Sequence, residues 1–274
     1  MKIYSVLGVD GSGKTTLLER LKRESSAPGR QYLRTPQFHL SVSTKWDALS
    51  QLLEDLGAEA DLNSDPVTKA CVLYWAMKLC RPILDEVCER RGTDDFEVVM
   101  ERHPVLDGLT YAPFYLQYFD ASTEVSGLDK FEMSPSLRST FQTFMSESGC
   151  SGFSETPERI RTLFGCSNRE LPAQLENEFC VPMPEKVLLL KLDESTLKER
   201  LISKGANREL HETAAALMMF QSAYERAAKL HALEYRELST ADMGLDEVEF
   251  SARSFFGEAK RVPLQSQSAR ASLF

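Results

Sequence analysis

Eight residues near the start of the chain, Gly8-Val9-Asp10-Gly11-Ser12-Gly13-Lys14-Thr15, constrain its fold more than any other stretch. They match the pattern G-x-x-x-x-G-K-[ST]. The segment from Lys2 to Val9 is apolar and predicts a buried strand leading in. From Lys14 to about Lys22, Leu17, Leu18 and Leu21 share one helical face leading out. Glycine in a strand–loop–helix unit admits φ > 0 and close approach of the backbone to a ligand. Successive N–H groups then converge into an anion nest, and the helix N-terminus adds partial positive charge. Lys14 is placed to reach the β- and γ-phosphates, and the Thr15 hydroxyl to ligate Mg2+. Asp10, Gly11, Ser12, Gly13, Lys14, Thr15 and Thr16 are therefore candidate binding residues for ATP with magnesium. The bland alternative is a glycine-rich turn capping a helix.

The rest of the chain supports an ordinary globular domain. It has 274 residues, 42% hydrophobic and 27% charged, which is average globular usage. A net charge of −9 argues against a broad basic face for nucleic acid or an anionic membrane. No apolar run reaches the roughly 18 residues of a membrane span. A glycine-rich loop stands where a signal peptide would carry its cleavage site, so the reading is a cytoplasmic protein. The six cysteines form no CxxC pair and read as reduced thiols, most of them buried. The four histidines show no ligand spacing with them, and no structural metal site is assigned.

Further along, Gln31 to Thr35 predicts a second strand, and Trp46 to Leu56 a helix stopped by Gly57. Asp65-Pro66 opens a long helix toward Arg90, kinked by Pro82. Phe96 to Met100 and Lys186 to Leu192 predict strands, with helices over 195–202 and 210–233 after them. A short strand over 234–238 and a helix over 245–256 follow. This alternation implies an α/β fold: a mainly parallel sheet with helices on both faces. About 120–183 reads as an inserted helical region, with helices near 137–145 and 157–164, packed on one side of the sheet. Residues 1–256 are expected to form a single domain, with 257–274 as a polar tail.

The loop is shared by switches, motors and kinases. No N-K-x-D guanine reader is present, and the FEVVM strand ends in Glu101-Arg102 rather than Asp-Glu. Glu101 can orient magnesium-bound water or accept an acceptor's proton, and Arg102 can hold the acceptor near the γ-phosphate. A strand-end salt bridge is the alternative. The segments VLGVDGSGKTTLLERLK, FEVVMERHPVLDGLTYAPFY and LLLKLDESTLKERLISKGANRELHE resemble the thymidylate kinase and deoxynucleoside kinase superfamily of phosphate-loop kinases. The resemblance spans roughly the first 115 residues and residues 186–250. It implies a P-loop NTPase fold with a lid at about 200–212.

By that resemblance, Asp10 touches an acceptor sugar hydroxyl and Arg34 binds substrate. Glu101 and Arg102 stand at the acceptor's reacting end, with Glu101 a metal ligand beside Thr15. Arg200, Lys204 and Arg208 form the lid group, Arg208 acting in catalysis. Tyr74 or Trp75 stacks a base, and Lys78 holds an acceptor anion, although aromatics at that spacing also suit a core. Lid cations arriving on closure would stabilise the charge that spreads over the γ-phosphate. Three departures concern the acceptor, one of them the inserted region beside its pocket. The second strand runs into Arg34-Thr35-Pro36-Gln37 without the glutamate usual there, so Glu101 must share the work of general base. Lys78 stands where an arginine is usual, which removes a bidentate grip. The expected activity is phosphoryl transfer to a nucleotide or nucleoside, foremost a thymidylate-type monophosphate, with a homodimer allowed. A modified nucleoside, a DNA base or a specialised metabolite is the alternative acceptor. A nucleotide-dependent switch is the non-enzymatic alternative.

Overall fold

Alternation along the first strand buries both faces of one sheet. In β1 (Lys2–Leu7), Tyr4 and Val6 join one apolar cluster, while Ile3 and Leu7 pack into two clusters on the other face. The computed structural model describes residues 1–23, 29–92, 95–120, 133–149, 153–203, 213–232 and 234–257. Among these, β2 (Arg30–Arg34), β3 (Glu97–Glu101), β4 (Lys186–Lys191) and β5 (Glu234–Ser239) complete a sheet of order β2-β3-β1-β4-β5. Every pairing is parallel, as the near-continuous apolar strands require.

Helices cover both faces. On one, α1 (Lys14–Arg23) packs Leu17, Leu18 and Leu21 against Tyr4, Val6, Val99 and Leu188. The C-terminal helix α11 (Leu245–Phe255) joins that cluster through Val248, Ala252 and Phe255. The opposite face carries α2 (Asp47–Leu62), α3 (Pro66–Lys78), α4 (Cys80–Arg91) and α5 (Pro104–Leu116), then α9 (Glu194–Ser203) and α10 (Ala214–His231). Between α5 and β4 lie α6 (Pro135–Glu147), α7 (Thr156–Phe164) and α8 (Leu171–Phe179). Phe141, Phe144, Ile160, Leu175 and Phe179 from this stretch share one hydrophobic cluster with Leu33, Val98 and Met100 of the sheet.

Several expectations shift in the structure. β1 stops at Leu7 because the loop begins at Gly8, where φ is +150°. α2 runs through Gly57 to Leu62, since Leu56 and Ala60 keep its buried face continuous. The long helix is two helices broken at Leu79. Pro82 follows the break within one turn. It has no N–H to donate to the Lys78 carbonyl, and its ring crowds that oxygen. α5 and α8 were not anticipated. For α5 the signal was present: His103 is the N-cap, its Nδ1 accepting from the Val105 N–H at 3.3 Å, and Pro104 occupies the first turn. Aromatic residues and Pro113 hid its periodicity. The lid residues Lys204 and Arg208 and most of the 257–274 tail lie outside the described residues.

Candidate active site

The parallel register brings the strand ends together. Glu101 is in register with Val6 of β1 on one side and with Arg34 of β2 on the other. The last residues of β2 and β3 thus stand beside the loop that leaves β1, at the carboxyl edge where open α/β sheets bind ligands.

That loop has the expected form. At Gly8 a Cβ would lie 2.4 Å from Ser12 Oγ and 2.8 Å from the Leu190 carbonyl, so no side chain fits. At Gly13 φ is +92° and a Cβ would meet nothing within 4 Å, leaving the loop open on that side. Lys14 is buried, with Nζ donating to the Val9 carbonyl at 2.9 Å and lying 3.6 Å from Asp10. Burial holds its pKa below the ordinary value, with the Asp10 carboxylate opposing. Arg200 is not poised over the loop as a mobile lid cation. Its Nη1 donates to the Gly11 carbonyl at 2.8 Å and its Nη2 to the Thr240 carbonyl at 2.7 Å, while the Thr240 hydroxyl donates to the Ser12 carbonyl at 3.1 Å. Arg200 and Thr240 instead tie the loop to the chain that follows β5.

Thr15 Oγ1 donates to Glu101 Oε1 at 2.8 Å. Glu101 Oε2 is buried without a hydrogen-bond partner. A hydroxyl beside a carboxylate with an unused buried oxygen fits a magnesium ion, which takes oxygen ligands from one or two protein groups and the rest from phosphates and water.

Arg102 is the hub of the site. Its Nη2 donates to Asp10 Oδ1 at 2.7 Å, and its Nη1 reaches Tyr111 OH at 3.3 Å and lies 3.6 Å from Asp107 Oδ2. Burial works against its charge, but the neighbouring Tyr111 and Asp10 hold its pKa well above the ordinary value. Its φ of +67° places a non-glycine residue in the left-handed region, at a cost of about 1–2 kcal/mol. Such strain persists where packing over-determines the conformation. Behind it, Tyr224 of α10 donates to Asp107 Oδ1 at 2.7 Å. Burial pushes the Asp107 carboxyl up, while Arg102 and Tyr224 pull it back. Asp107, Tyr111 and Tyr224 escaped the sequence reading; Asp107, in the first turn of the capped α5, carried the one signal available. Tyr224→Phe leaves a buried carboxylate oxygen short of its donor. It should cost about 1–3 kcal/mol, read as a lower Tm.

A cavity of about 390 Å3 opens from these groups. Asp10, Thr15, Arg34, Tyr74, Glu101 and Arg102 all line it. Arg34 Nη2 donates to Gln37 Oε1 at 2.6 Å, and its Nε lies 3.6 Å from Glu101 Oε2. Leu53, Leu73, Met77, Phe164 and Phe179 supply apolar wall, the last two from the inserted region. The Asp61–Lys69 pair, also unanticipated, lines the cavity as well, with Lys69 Nζ 2.5 Å from Asp61 Oδ2.

Two residues expected to contact substrate are elsewhere. Trp75 is fully buried, its Nε1 donating to Thr156 Oγ1 at 2.8 Å and its ring edge-on to Phe144. It ties α3 to the inserted region, so of the two aromatics only Tyr74 lines the cavity. Trp75→Phe should lower stability by about 1–3 kcal/mol and leave any acceptor KM unchanged. Lys78 is not a cavity wall. Its Nζ donates to Glu178 Oε1 at 2.7 Å and to the Glu178 carbonyl at 2.9 Å. Glu178 also accepts from the Tyr74 hydroxyl and from Arg159. Burial pushes the Glu178 carboxyl up, but hydrogen bonds from Arg159, Lys78 and Tyr74 outweigh it and hold the pKa at about 2. This carboxylate is depressed in the folded state. Its contribution is therefore present above its unfolded pKa, about 4.3, and is lost as pH falls toward about 2. Wild type should lose stability over that window more steeply than Glu178→Gln, measured by denaturant midpoints across pH.

No protein family and no curated protein matches this sequence. Solved structures do. The deoxyadenosine kinase from M. mycoides, solved with the products dCMP and a flexible dCDP, aligns with a TM-score of 0.51 at 11% identity, covering 94% of this chain and 100% of its own. Thymidylate kinase from Candida albicans aligns at 0.49 with 14% identity, covering 93% and 91%. The YorR protein from Bacillus subtilis, in complex with phosphorylated GDP, aligns at 0.40 with 12% identity, covering 93% and 96%. The all-parallel five-stranded sheet with its phosphate loop is a P-loop NTPase fold, shared with the deoxyadenosine kinase over nearly the whole of both chains.

Proposed function

We propose that this chain is a kinase that transfers the γ-phosphoryl group of magnesium-bound ATP to a nucleotide or nucleoside. One observation carries the reading: the glycine loop, the Thr15–Glu101 pair and Arg102 meet at the mouth of a cavity large enough for a small acceptor. Thr15 and Glu101 would hold the magnesium, which when bound neutralises charge on the transferring phosphates. Lys14 leaves the Val9 carbonyl to engage the β- and γ-phosphates. Asp10 pins Arg102 so that the guanidinium faces the acceptor's reacting end, and the unused Glu101 oxygen is available for the acceptor's proton. Most of the rate gain comes from positioning and charge neutralisation.

By the sequence resemblance, Lys204 and Arg208 would supply further cations to the donor phosphates. Residues 1–256 act as one domain, with the inserted helices forming part of the acceptor wall. The free thiols Cys71, Cys80, Cys88, Cys166 and Cys180 suit a reducing compartment such as the cytoplasm. Among the described residues no helix is long and apolar enough to cross a membrane. The sequence resemblance favours a thymidylate-type monophosphate as acceptor, and the charge lining the cavity bears on that choice.

The test is ADP release from the purified chain against nucleosides, nucleoside monophosphates and sugars, with the product identified by mass. Acceptor-dependent release and a product heavier by one phosphoryl group are expected. ATP turnover of the same rate with every acceptor and with none would favour a nucleotide-dependent switch.

A further inference from the structure

A site for a phosphomonoester needs cationic groups whose charge is not already spent, since desolvating a dianion is costly. The described residues lining this cavity include three cations, and each lies 3.6 Å or less from a carboxylate, two of them at hydrogen-bond distance. Arg102 bonds Asp10 at 2.7 Å with Asp107 3.6 Å away. Lys69 pairs with Asp61 at 2.5 Å and donates to the Gly57 carbonyl at 3.3 Å. Arg34 donates to Gln37 at 2.6 Å, and its Nε, which makes no hydrogen bond, faces the Glu101 carboxylate at 3.6 Å. Glu54, a further lining carboxylate, accepts from the neutral Gln37 amide and lies 3.1 Å from His39 Nε2. Among the described residues, carboxylates therefore outnumber cations around the cavity, and they still do if Asp107, whose pKa burial raises, carries a proton. Donor binding does not reverse the balance, because a magnesium triphosphate is itself anionic. Lys78, the cation expected to grip an acceptor anion, is paired with Glu178 and does not line the cavity. Leu53, Leu73, Met77, Phe164 and Phe179 form an apolar part of the wall that suits an uncharged ring, beside the hydroxyl-bearing side chains of Tyr74, Tyr111 and Tyr115.

We propose that the acceptor is an uncharged, nucleoside-like alcohol phosphorylated on a hydroxyl, and that the carboxylate-rich cavity disfavours the corresponding monophosphate. This rests on the kinase reading and narrows it. In the step, the acceptor hydroxyl oxygen bonds to the γ-phosphorus as the bond from that phosphorus to the β,γ-bridging oxygen breaks. The electron pair leaves with the nucleoside diphosphate, and the hydroxyl proton passes to the Glu101 carboxylate. Asp10 has a second role here: by compensating Arg102 it removes the charge a phosphate would seek.

The experiment uses the full chain with magnesium and ATP, and matched pairs: thymidine against thymidine monophosphate, and likewise for deoxyguanosine, deoxyadenosine and deoxycytidine. The nucleoside of at least one pair is expected to be favoured about tenfold or more in kcat/KM, equivalent to about 1.4 kcal/mol. Asp10→Asn should narrow that preference severalfold by lowering the monophosphate KM, since Arg102 then loses its nearest carboxylate and keeps only Asp107 at 3.6 Å. Monophosphates used as well as or better than their nucleosides would overturn the inference and leave the kinase reading standing. No transfer to either member of any pair, with ATP still bound, would overturn the kinase reading and the inference together.

Discussion

Lys14→Ala should lower phosphoryl transfer about a thousandfold, the scale seen when a preorganised charge stabiliser is removed from a transition state. The side chain is buried and its ammonium reaches only loop atoms, the Val9 carbonyl at 2.9 Å and Asp10 at 3.6 Å. Among the described residues, its side chain makes no hydrogen bond or ion pair with the sheet or with another helix. The variant should therefore keep its circular dichroism and a Tm near that of wild type while losing turnover. Burial also lowers the lysine pKa, so part of the charge's electrostatic cost is relieved when an anionic donor arrives. ATP affinity should fall as well as kcat. Turnover retained within a few fold would count against the loop as the donor site.

Arg102→Ala should lower kcat/KM for the acceptor about a hundredfold or more while leaving ATP binding within a few fold, because the guanidinium touches Asp10, Tyr111 and Asp107 and no phosphate-loop amide. It also strips buried Asp107 of its cation. Breaking a buried pair by removing one partner costs about 3–5 kcal/mol, so the alanine variant could lose activity by unfolding. Arg102→Lys separates the two effects. It keeps the charge near Asp10 and loses the planar fork, so it should retain most of the Tm and still lose about tenfold or more in acceptor kcat/KM. Equal losses of ATP and acceptor affinity in the lysine variant would reject an acceptor role for Arg102.

The two variants probe different levels of legibility. The donor side was open to reading in one dimension. The loop proposed to hold the donor is eight consecutive residues, and local sequence dictates local backbone. The Thr15–Glu101 pair was also foreseeable, since a parallel sheet brings successive strand ends to one edge, and the observed 2.8 Å hydrogen bond joins them. The acceptor side depended on which face of each helix turned inward. Tyr74 and Trp75 are adjacent on α3, yet Tyr74 lines the cavity and Trp75 is sealed against Phe144 and Thr156. A helical rotation of about 100° per residue separates these fates, and α3, apolar on several sides, carries no strong face preference in its own sequence. Asp107, Lys69 and Asp61 were hidden for a related reason: a lone charged residue in an amphipathic segment reads as solvated until a partner is known.

What the sequence determined by itself was the strand–loop–helix unit, the parallel α/β layering and the carboxylate–arginine pair closing β3. Each follows from hydrophobic period, glycine backbone freedom and strand direction, which act over a few residues. Only the tertiary structure decided that Arg200 clasps the loop, that Lys78 is consumed by Glu178, and that the cavity is lined, among the described residues, by more carboxylates than cations. Those outcomes are pairings between residues up to 189 positions apart, and a side chain's charge is available to a ligand only if no neighbour brought in by the fold has already neutralised it.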